Sequence, residues 1–178
     1  MQEINVLDKT FTPYISEADI EVSVKKIAEA INADYAGKQP LFIAILNGSF
    51  MFAAELFKRL TIPAEISFIK LASYKGTTSS GHVITSIGLD VEVKDRHVII
   101  LEDILDTGKT LNNFLPQLYN MNPASLKIAA LLHKPDATVY DVPLHYNGIK
   151  IPDKFVVGFG LDYNGYGRNL PAIYQLKE

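Results

Sequence analysis

Residues that could bind phosphate and sugar groups follow the most β-branched apolar stretch of the chain, residues 98–101. The adjacent carboxylates Glu102 and Asp103 come first, and the sequence Asp-Thr-Gly-Lys-Thr follows at 106–110. Such a loop, when it opens a helix, gathers backbone N–H groups and hydroxyls in one concavity that suits a phosphate monoester. Glu102 and Asp103 could accept hydrogen bonds from sugar hydroxyls, lie beside a magnesium ion, or merely cap the helix.

The triplet Gly108-Lys109-Thr110 also resembles the end of the phosphate loop of nucleoside triphosphatases. That loop needs its first glycine at position 103, where this chain has an aspartate. Because a carboxylate inside a triphosphate cradle would repel the ligand, the spacing argues against a triphosphatase.

The composition predicts one ordinary globular domain spanning residues 1–178. The chain has 178 residues, of which 48% are hydrophobic and 21% are charged. A chain of this length buries about 70% of the surface that it exposes when unfolded. It contains no cysteine, which excludes disulfides, a thiolate nucleophile and a cysteine-ligated zinc ion.

The charge and hydropathy patterns predict a cytoplasmic protein that binds neither nucleic acid nor a membrane. The net charge is -3, and the lysines and arginines are scattered singly, so there is no basic surface for nucleic acid. Residues 1–10 contain Glu3, Asp8 and Lys9 where a signal peptide would be apolar. No later stretch approaches the roughly 18 unbroken apolar residues that a membrane span needs.

Buried strands and amphipathic helices alternate along the chain. Ser16 and Asp19 form a capping box, after which apolar residues recur at helical spacing. The patterns predict helices at about 17–35, 49–60 and 110–119, and strands at 41–46, 64–71, 83–89, 98–101, 128–132 and 155–159. This order predicts an α/β fold with a mostly parallel twisted sheet flanked by helices, and ligands at the carboxyl ends of its strands.

The stretch Glu-Asp-Ile-Leu-Asp-Thr-Gly-Lys-Thr at 102–110 resembles the phosphoribosyl-pyrophosphate motif of the type I phosphoribosyltransferases, in particular their hypoxanthine-guanine branch. Similar matches cover nearly the whole chain: Leu-Asn-Gly-Ser at 46–49, Ser73-Tyr74, Lys134, Phe-Val-Val-Gly at 155–158, Leu-Asp-Tyr at 161–163 and Arg168. Several are absent from the pyrimidine and adenine branches. The resemblance implies the type I fold, with a small C-terminal hood region and a mobile lid loop.

The resemblance implies how the first substrate, phosphoribosyl pyrophosphate, is held. Asp106 would be the catalytic residue that shuttles the proton at purine N7, while Glu102 and Asp103 would face the ribose hydroxyls and the metal. Asp106, Thr107, Gly108, Lys109 and Thr110 would wrap the 5-phosphate, although Lys109 could equally be a solvated side chain on the outer face of the loop.

The pyrophosphate would be bound by Asn47, Gly48 and Arg168. Many family members have lysine or arginine at the position of Asn47, so the resemblance leaves the affinity for pyrophosphate open. It also implies an unusual peptide geometry between Leu46 and Asn47.

The resemblance assigns the purine pocket to Lys134, Phe155, Val156 and Asp162. Lys134 would donate to O6 of a 6-oxopurine and reject adenine, Phe155 would stack on the base, and the Val156 backbone would read its far edge. Asp162 would also hold magnesium, through water. Without the resemblance, Lys134 could be a surface lysine, Phe155 a core residue, and Asp162 with Arg168 a surface ion pair.

Residues 73–82 are polar and contain two glycines, and they begin with Ser73 and Tyr74. We expect a mobile lid that keeps water from the reacting sugar, or else a plain hairpin tip.

The implied reaction is a Mg²⁺-dependent transfer of 5-phosphoribosyl from phosphoribosyl pyrophosphate to hypoxanthine or guanine. The implied assembly is a homodimer or homotetramer. In an alternative interpretation, the chain keeps the fold but acts as a nucleotide-sensing regulator of nucleic acid or a partner protein. Its negative net charge and lack of a basic arm argue against that role.

Overall fold

The computed structural model of the protein describes residues 2–72 and 84–177, with the backbone alone at 72 and 84–87. Its elements in chain order are β1 (Ile4–Val6), β2 (Lys9–Ile15), α1 (Glu17–Asp34), β3 (Leu41–Leu46), α2 (Phe50–Phe57), β4 (Glu65–Ala72), β5 (Ile84–Ile87), β6 (His97–Leu105), α3 (Lys109–Tyr119), β7 (Ser125–His133), β8 (Tyr146–Lys150), β9 (Val156–Val157) and β10 (Ile173–Leu176).

The main sheet has the strand order β5-β4-β3-β6-β7-β8. The five strands from β4 to β8 in that order run parallel, and β5 pairs antiparallel with β4 at the edge. The α/β fold with a mostly parallel sheet flanked by helices is therefore confirmed. The predicted lid, including Ser73 and Tyr74, lies outside the described residues.

Alternate residues of the central strands feed two separate cores. Phe42 and Ala44 of β3 pack in one core with apolar residues of α1 and α2, such as Val24 and Phe52. Leu41, Ile43 and Ile45 point the other way and pack with the apolar stripe of α3. Because both faces of the sheet are covered, its strands are continuous apolar runs, as in other parallel sheets.

The helices begin within one residue of the predicted positions, but α2 ends three residues earlier than predicted. Ser16 caps α1 by accepting a hydrogen bond from the Asp19 backbone N–H at 3.1 Å. The predicted helix at 49–60 ends at Phe57, because Arg59 N–H and Leu60 N–H bond three residues back, to Leu56 and Phe57. These tighter turns close the helix.

A second sheet forms the hood, with the strand order β1-β2-β10-β9. It joins the first strands of the chain to the last ones, and all of its pairs are antiparallel. The strand predicted at 155–159 is shorter than expected and lies outside the main sheet. Only Val156–Val157 is a strand, it belongs to the hood, and the left-handed backbone of Gly158, Phe159 and Gly160 ends it.

Among the described residues, the helices all fall short of the length and apolarity that a membrane crossing requires.

Candidate active site

The site lies where the order of the parallel strands reverses, between β3 and β6. The ladder between these strands ends at Ala44 and Leu101, although β3 continues to Leu46 and β6 to Leu105. The two strands therefore part toward their carboxyl ends and leave a crevice. Crevices of this kind are where open parallel sheets bind ligands.

The phosphate loop follows β6 and ends at the start of α3. Gly108, with φ 83°, is the N-cap residue of α3, and a Cβ there would lie 3.2 Å from the Tyr140 carbonyl oxygen. The Thr107 carbonyl accepts hydrogen bonds from the backbone N–H groups of Val139 and Tyr140, each at 3.1 Å. The loop is thus tied through Thr107 to residues 139 and 140, and it lies at a helix N-terminus, an arrangement suited to an anion.

One concavity gathers most of the residues predicted to bind phosphate. It is lined by Glu102, Ile104, Leu105, Asp106, Thr107, Gly108, Lys109, Thr110 and Leu111. Lys109 is the first residue of α3 and not a loop residue, and its side chain is exposed. Thr107 and Thr110 are exposed as well.

The two carboxylates sit within β6, whereas the sequence had suggested that the strand ends before them. The strand runs on because its pairing with β7 continues, with Glu102 opposite Ala130 and Leu105 opposite His133. The Glu102 Oε2 atom is buried and has no hydrogen-bond partner, which is costly for a carboxylate. A donor or a cation from outside the described side chains would stabilise the charged form of Glu102.

Burial dominates the electrostatics of this pair. It raises the pKa of the Glu102 carboxyl well above its usual range, and the neighbouring Asp103 charge raises it further. Burial also raises the pKa of Asp103 to about 6, against the opposing effects of the Ile104 N–H and the Arg168 guanidinium. The Asp162 carboxylate adds to the rise. Asp103, Asp162 and Arg168 are thus close enough to interact.

The turn after β3 packs directly on Asp103. A Cβ at Gly48 would lie 1.6 Å from Asp103 Oδ2, and one at Gly160 would lie 2.0 Å from the Gly48 carbonyl oxygen. The peptide bond between Leu46 and Asn47 is cis, which confirms the unusual geometry, and the Asn47 side chain is exposed. The turn therefore packs on the Asp103 side chain of β6 and against the backbone of the C-terminal loop at Gly160.

Lys134 lies at the same edge, immediately after β7, and it is not the surface lysine that its position alone suggests. Its side chain is only 8% exposed, and its ammonium lies 3.3 Å from Asp106 Oδ2 and 3.0 Å from Asp153 Oδ1. Its backbone N–H donates to the Leu105 carbonyl at 2.9 Å. The residue predicted to read the purine thus contacts the residue predicted to move its proton.

Phe155 is not a core residue, since 49% of it is exposed. Its ring centroid lies 6.0 Å from that of Tyr163, edge to face, and 6.3 Å from that of Phe11. The Tyr163 hydroxyl donates to Asp8 at 3.0 Å, which ties this aromatic group to the first hairpin. Val156 is buried, and its pair partner in β10 is Gln175. One face of the Phe155 ring remains available to a flat ligand.

Asp162 and Arg168 form an ion pair at 2.7 Å, and each also shapes the C-terminal loop. Asp162 accepts from the Gly165 N–H, and Arg168 donates to the Gly160 carbonyl, both at 2.6 Å. Both side chains are less than one third exposed. Together with Asp103 they form a group of three charged side chains, and not the isolated surface ion pair that the sequence alone allowed.

Sequence reasoning missed three residues that this site uses. Asp153 pairs with Lys134, Gly160 packs on Gly48, and the Thr138 hydroxyl lies 2.8 Å from the Asp106 carbonyl and 2.9 Å from the Lys134 carbonyl. For Asp153, the only signal in the sequence was weak: an acidic residue two positions before Phe155. The contact between Thr138 and Asp106 spans 32 residues and left no local pattern.

Another cavity lies between α1 and α2, away from the crevice. Its lining includes Glu17, Glu21 and Glu55, with Lys58 as its cation. Three carboxylates would repel a phosphate or pyrophosphate group. The crevice at β3 and β6 is therefore the better site for a phosphorylated ligand.

Comparisons with known proteins agree with this architecture. The model of the phosphoribosyl transferase domain family matches residues 16–164, a range that contains the whole main sheet. The class of enzyme is therefore that of the phosphoribosyltransferases. A hypoxanthine-guanine phosphoribosyltransferase of Streptococcus pneumoniae is 44% identical over 166 residues, which are 92% of each chain.

Solved structures give the same result. A hypoxanthine-guanine phosphoribosyltransferase of Bacillus anthracis superposes with a TM-score of 0.88 at 36% identity, over 93% of this chain and 98% of that one. A hypoxanthine phosphoribosyltransferase of Staphylococcus aureus also gives 0.88, at 40% identity, over 93% and 91%. The chain belongs to the hypoxanthine-guanine phosphoribosyltransferase family.

Proposed function

We propose that this protein is a purine salvage enzyme that transfers 5-phosphoribosyl from phosphoribosyl pyrophosphate to N9 of hypoxanthine or guanine. The new bond joins N9 to the anomeric carbon, and the bond from that carbon to pyrophosphate breaks. The products are IMP or GMP and pyrophosphate. The observation that carries this proposal is the contact of Lys134 with Asp106, 3.3 Å apart, beside the phosphate loop.

The phosphate loop binds the 5-phosphate of the ribose. Gly108 allows close approach of the backbone, and the exposed hydroxyls of Thr107 and Thr110 are free to turn toward phosphate oxygens. Lys109, which is exposed at the first turn of α3, adds its charge from the outer side. The Asn47-Gly48 amides and Arg168 bind the pyrophosphate, since guanidinium and phosphate groups pair in a bidentate way.

Lys134 selects the base. Its ammonium has only donors, so it bonds O6 of hypoxanthine or guanine and cannot accept from the amino group of adenine. Adenine offers this ammonium no acceptor at that position, so it binds without the charge-assisted hydrogen bond that a 6-oxopurine makes. Phe155 stacks on the purine, and Val156, with Asp162 beside it in the pocket, meets the far edge of the base.

Asp106 takes up the proton of N7 as N9 attacks the sugar. Its side chain is 47% exposed in the apo site, and Lys134 reaches one of its oxygens. The other oxygen can meet the purine N7–H. A positioned carboxylate acts as a general base when the reacting proton is within hydrogen-bond reach.

The carboxylates fit a magnesium ion. Glu102 Oε2 lacks a hydrogen-bond partner, and burial raises the pKa of Asp103. A cation would stabilise the charged form of both carboxylates. Glu102, Asp103 and Asp162 are the residues that would hold it, partly through water. Among residues 2–72 and 84–177, no three acids or histidines form a ready cluster, and Mg²⁺ needs few carboxylates when substrate oxygens complete its shell. When bound, it neutralises charge on the pyrophosphate.

We further propose that the chain is one domain, acts in the cytoplasm, and assembles as a homodimer or homotetramer. The match of the family model across the main sheet supports the first point. Mass measurement by light scattering distinguishes the assemblies.

Replacement of Asp106 by asparagine tests the proton step. Because the amide cannot accept the N7 proton, we expect kcat to fall by a factor of about 10² to 10⁴. The measurement is nucleotide formation from hypoxanthine at saturating substrates, with Asp141→Asn, an exposed aspartate, as the matched control. Unchanged turnover in Asp106→Asn would contradict the assignment.

A further inference from the structure

Lys134 is held between two carboxylates, and only one of them has a role in the proposed reaction. Its ammonium lies 3.3 Å from Asp106 and 3.0 Å from Asp153. We propose that Asp153 is a positioning residue that keeps the Lys134 ammonium aimed at the purine O6 and away from Asp106. This inference rests on the proposed function and assigns the residue that makes Lys134 selective.

The backbone fixes Asp153 beside Lys134. β8 pairs in parallel with β7, and the pairing continues past its end, because Ile151 N–H donates to the His133 carbonyl at 2.8 Å. Pro152 then restricts the chain, and the Lys154 N–H donates back to the Pro152 carbonyl at 2.8 Å. Lys134 thus follows β7, and Asp153 follows the neighbouring strand β8, so both residues lie at the same edge of the sheet. Main-chain hydrogen bonds hold both segments in place.

The charges explain why a second carboxylate is needed. Lys134 is 8% exposed, and a nearly buried ammonium must keep an anion within reach. Base binding requires the ammonium to turn toward O6, and the longer contact, with Asp106, is the one that yields. Asp153, 67% exposed and opposite Asp106, retains the ammonium while this happens. Among the described residues, Asp106 is the other carboxylate that pairs with Lys134. Loss of Asp153 would therefore leave the ammonium paired with Asp106, the residue proposed to accept the N7 proton.

The position of Asp153 in the chain adds a further link. Asp153 lies two residues before Phe155, which is half exposed and is the residue proposed to stack on the base. The Phe155 carbonyl accepts a hydrogen bond from the Leu176 N–H at 2.9 Å, which anchors this segment to the hood. One short segment therefore carries both the stacking ring and the counter-ion of the O6 donor.

The first test is Asp153→Asn, which keeps the shape of the side chain and removes its charge. We expect kcat/KM for hypoxanthine to fall by about tenfold, as for loss of one hydrogen bond to a charged group, with KM for phosphoribosyl pyrophosphate unchanged. Asp153→Glu should restore most of the activity. The matched control is Asp136→Asn, an exposed aspartate in the loop after Lys134, which should behave as the unaltered protein.

A double-mutant cycle with Lys134→Met separates positioning from folding. Calorimetric titration with IMP gives an affinity even for inactive variants. If Asp153 acts through Lys134, Asp153→Asn weakens IMP binding in the unaltered protein and has no further effect in Lys134→Met. Equal losses in both backgrounds, or no loss in either, would overturn the proposal.

Failure of the proposed function gives a different result. In that case the unaltered protein forms no nucleotide from hypoxanthine or guanine, and this inference falls with it. If the unaltered protein is active and Asp153→Asn matches it in kcat/KM, the inference alone is wrong.

Discussion

At the scale of single residues, burial dominates the electrostatics of the acidic part of the site. Burial raises the pKa values of Glu102 and Asp103, and Glu102 has an oxygen with no partner among the described side chains. Arg168 partly offsets this, but it also pairs with Asp162 at 2.7 Å. A divalent cation bound beside these carboxylates would offset their negative charge, whereas a phosphorylated substrate would add to it.

A methyl group at Gly48 should disrupt this part of the site. In Gly48→Ala, the new Cβ would lie 1.6 Å from Asp103 Oδ2 and 2.4 Å from Asp103 Cγ, so the carboxylate must move. We expect kcat/KM for phosphoribosyl pyrophosphate to fall by about 10- to 100-fold, in line with about 1–3 kcal/mol for forced overpacking. Steady-state kinetics with varied phosphoribosyl pyrophosphate measures this loss.

Gly88→Ala is the control for that variant, because a Cβ at Gly88 would have no atom within 4 Å. If Gly48→Ala and the unaltered protein have the same kcat/KM for phosphoribosyl pyrophosphate, the position of the Asp103 carboxylate beside Gly48 does not matter for the reaction.

At the scale of elements, the segment after β7 holds the phosphate loop in place. The Thr138 hydroxyl lies within hydrogen-bond distance of both the Asp106 and Lys134 carbonyls, and His133 Nε2 lies 3.3 Å from the same hydroxyl. Two further main-chain bonds join this segment to the Thr107 carbonyl. The segment therefore connects the phosphate loop to Lys134.

Loss of the Thr138 hydroxyl should loosen this connection. Thr138→Val keeps the shape of the side chain but leaves two carbonyls without this donor, so we expect the free energy of unfolding to fall by about 1 kcal/mol. For a chain of this size, the midpoint of thermal unfolding should fall by about 2–4 °C. KM for phosphoribosyl pyrophosphate should rise as well.

Thr138→Ser is the matched variant, because it retains the hydroxyl. Differential scanning calorimetry and initial rates would then show a stability and a KM close to those of the unaltered protein. A serine variant as damaged as the valine variant would mean that the methyl group, and not the hydroxyl, supports the loop.

The local elements could be predicted from sequence where one pattern dominated. The strand at 41–46 has the predicted bounds, because a continuous apolar run defines it. Helix α1 begins at the predicted residue, because a capping box marks its start, and it ends one residue before the predicted end. The extension of β6 through Glu102 and Asp103 could not be predicted, since it depends on pairing with β7. β8 was missed because Tyr-Asn-Gly-Ile-Lys lacks the alternation and β-branched content of a strand.

At the scale of the whole molecule, the two ends of the chain meet in the hood. The hood joins β2 to β10, and the Asp8–Tyr163 hydrogen bond spans 155 residues. Neither contact leaves a periodic signal, because each depends on packing of distant segments. The order of the motifs along the chain predicted the functional residues, while their distances and partners required the fold. The roles of those residues stay predictions.

The central claim is that this fold joins a phosphorylated ribose to a 6-oxopurine selected by Lys134. The most direct measurement is a spectrophotometric assay of the purified protein with phosphoribosyl pyrophosphate and Mg²⁺, offering hypoxanthine, guanine, xanthine and adenine in turn. The account predicts nucleotide formation from hypoxanthine or guanine and none from adenine. Formation of AMP at a comparable rate, or silence with all four bases in a folded sample, would contradict it, and silence would favour a nucleotide-sensing regulator.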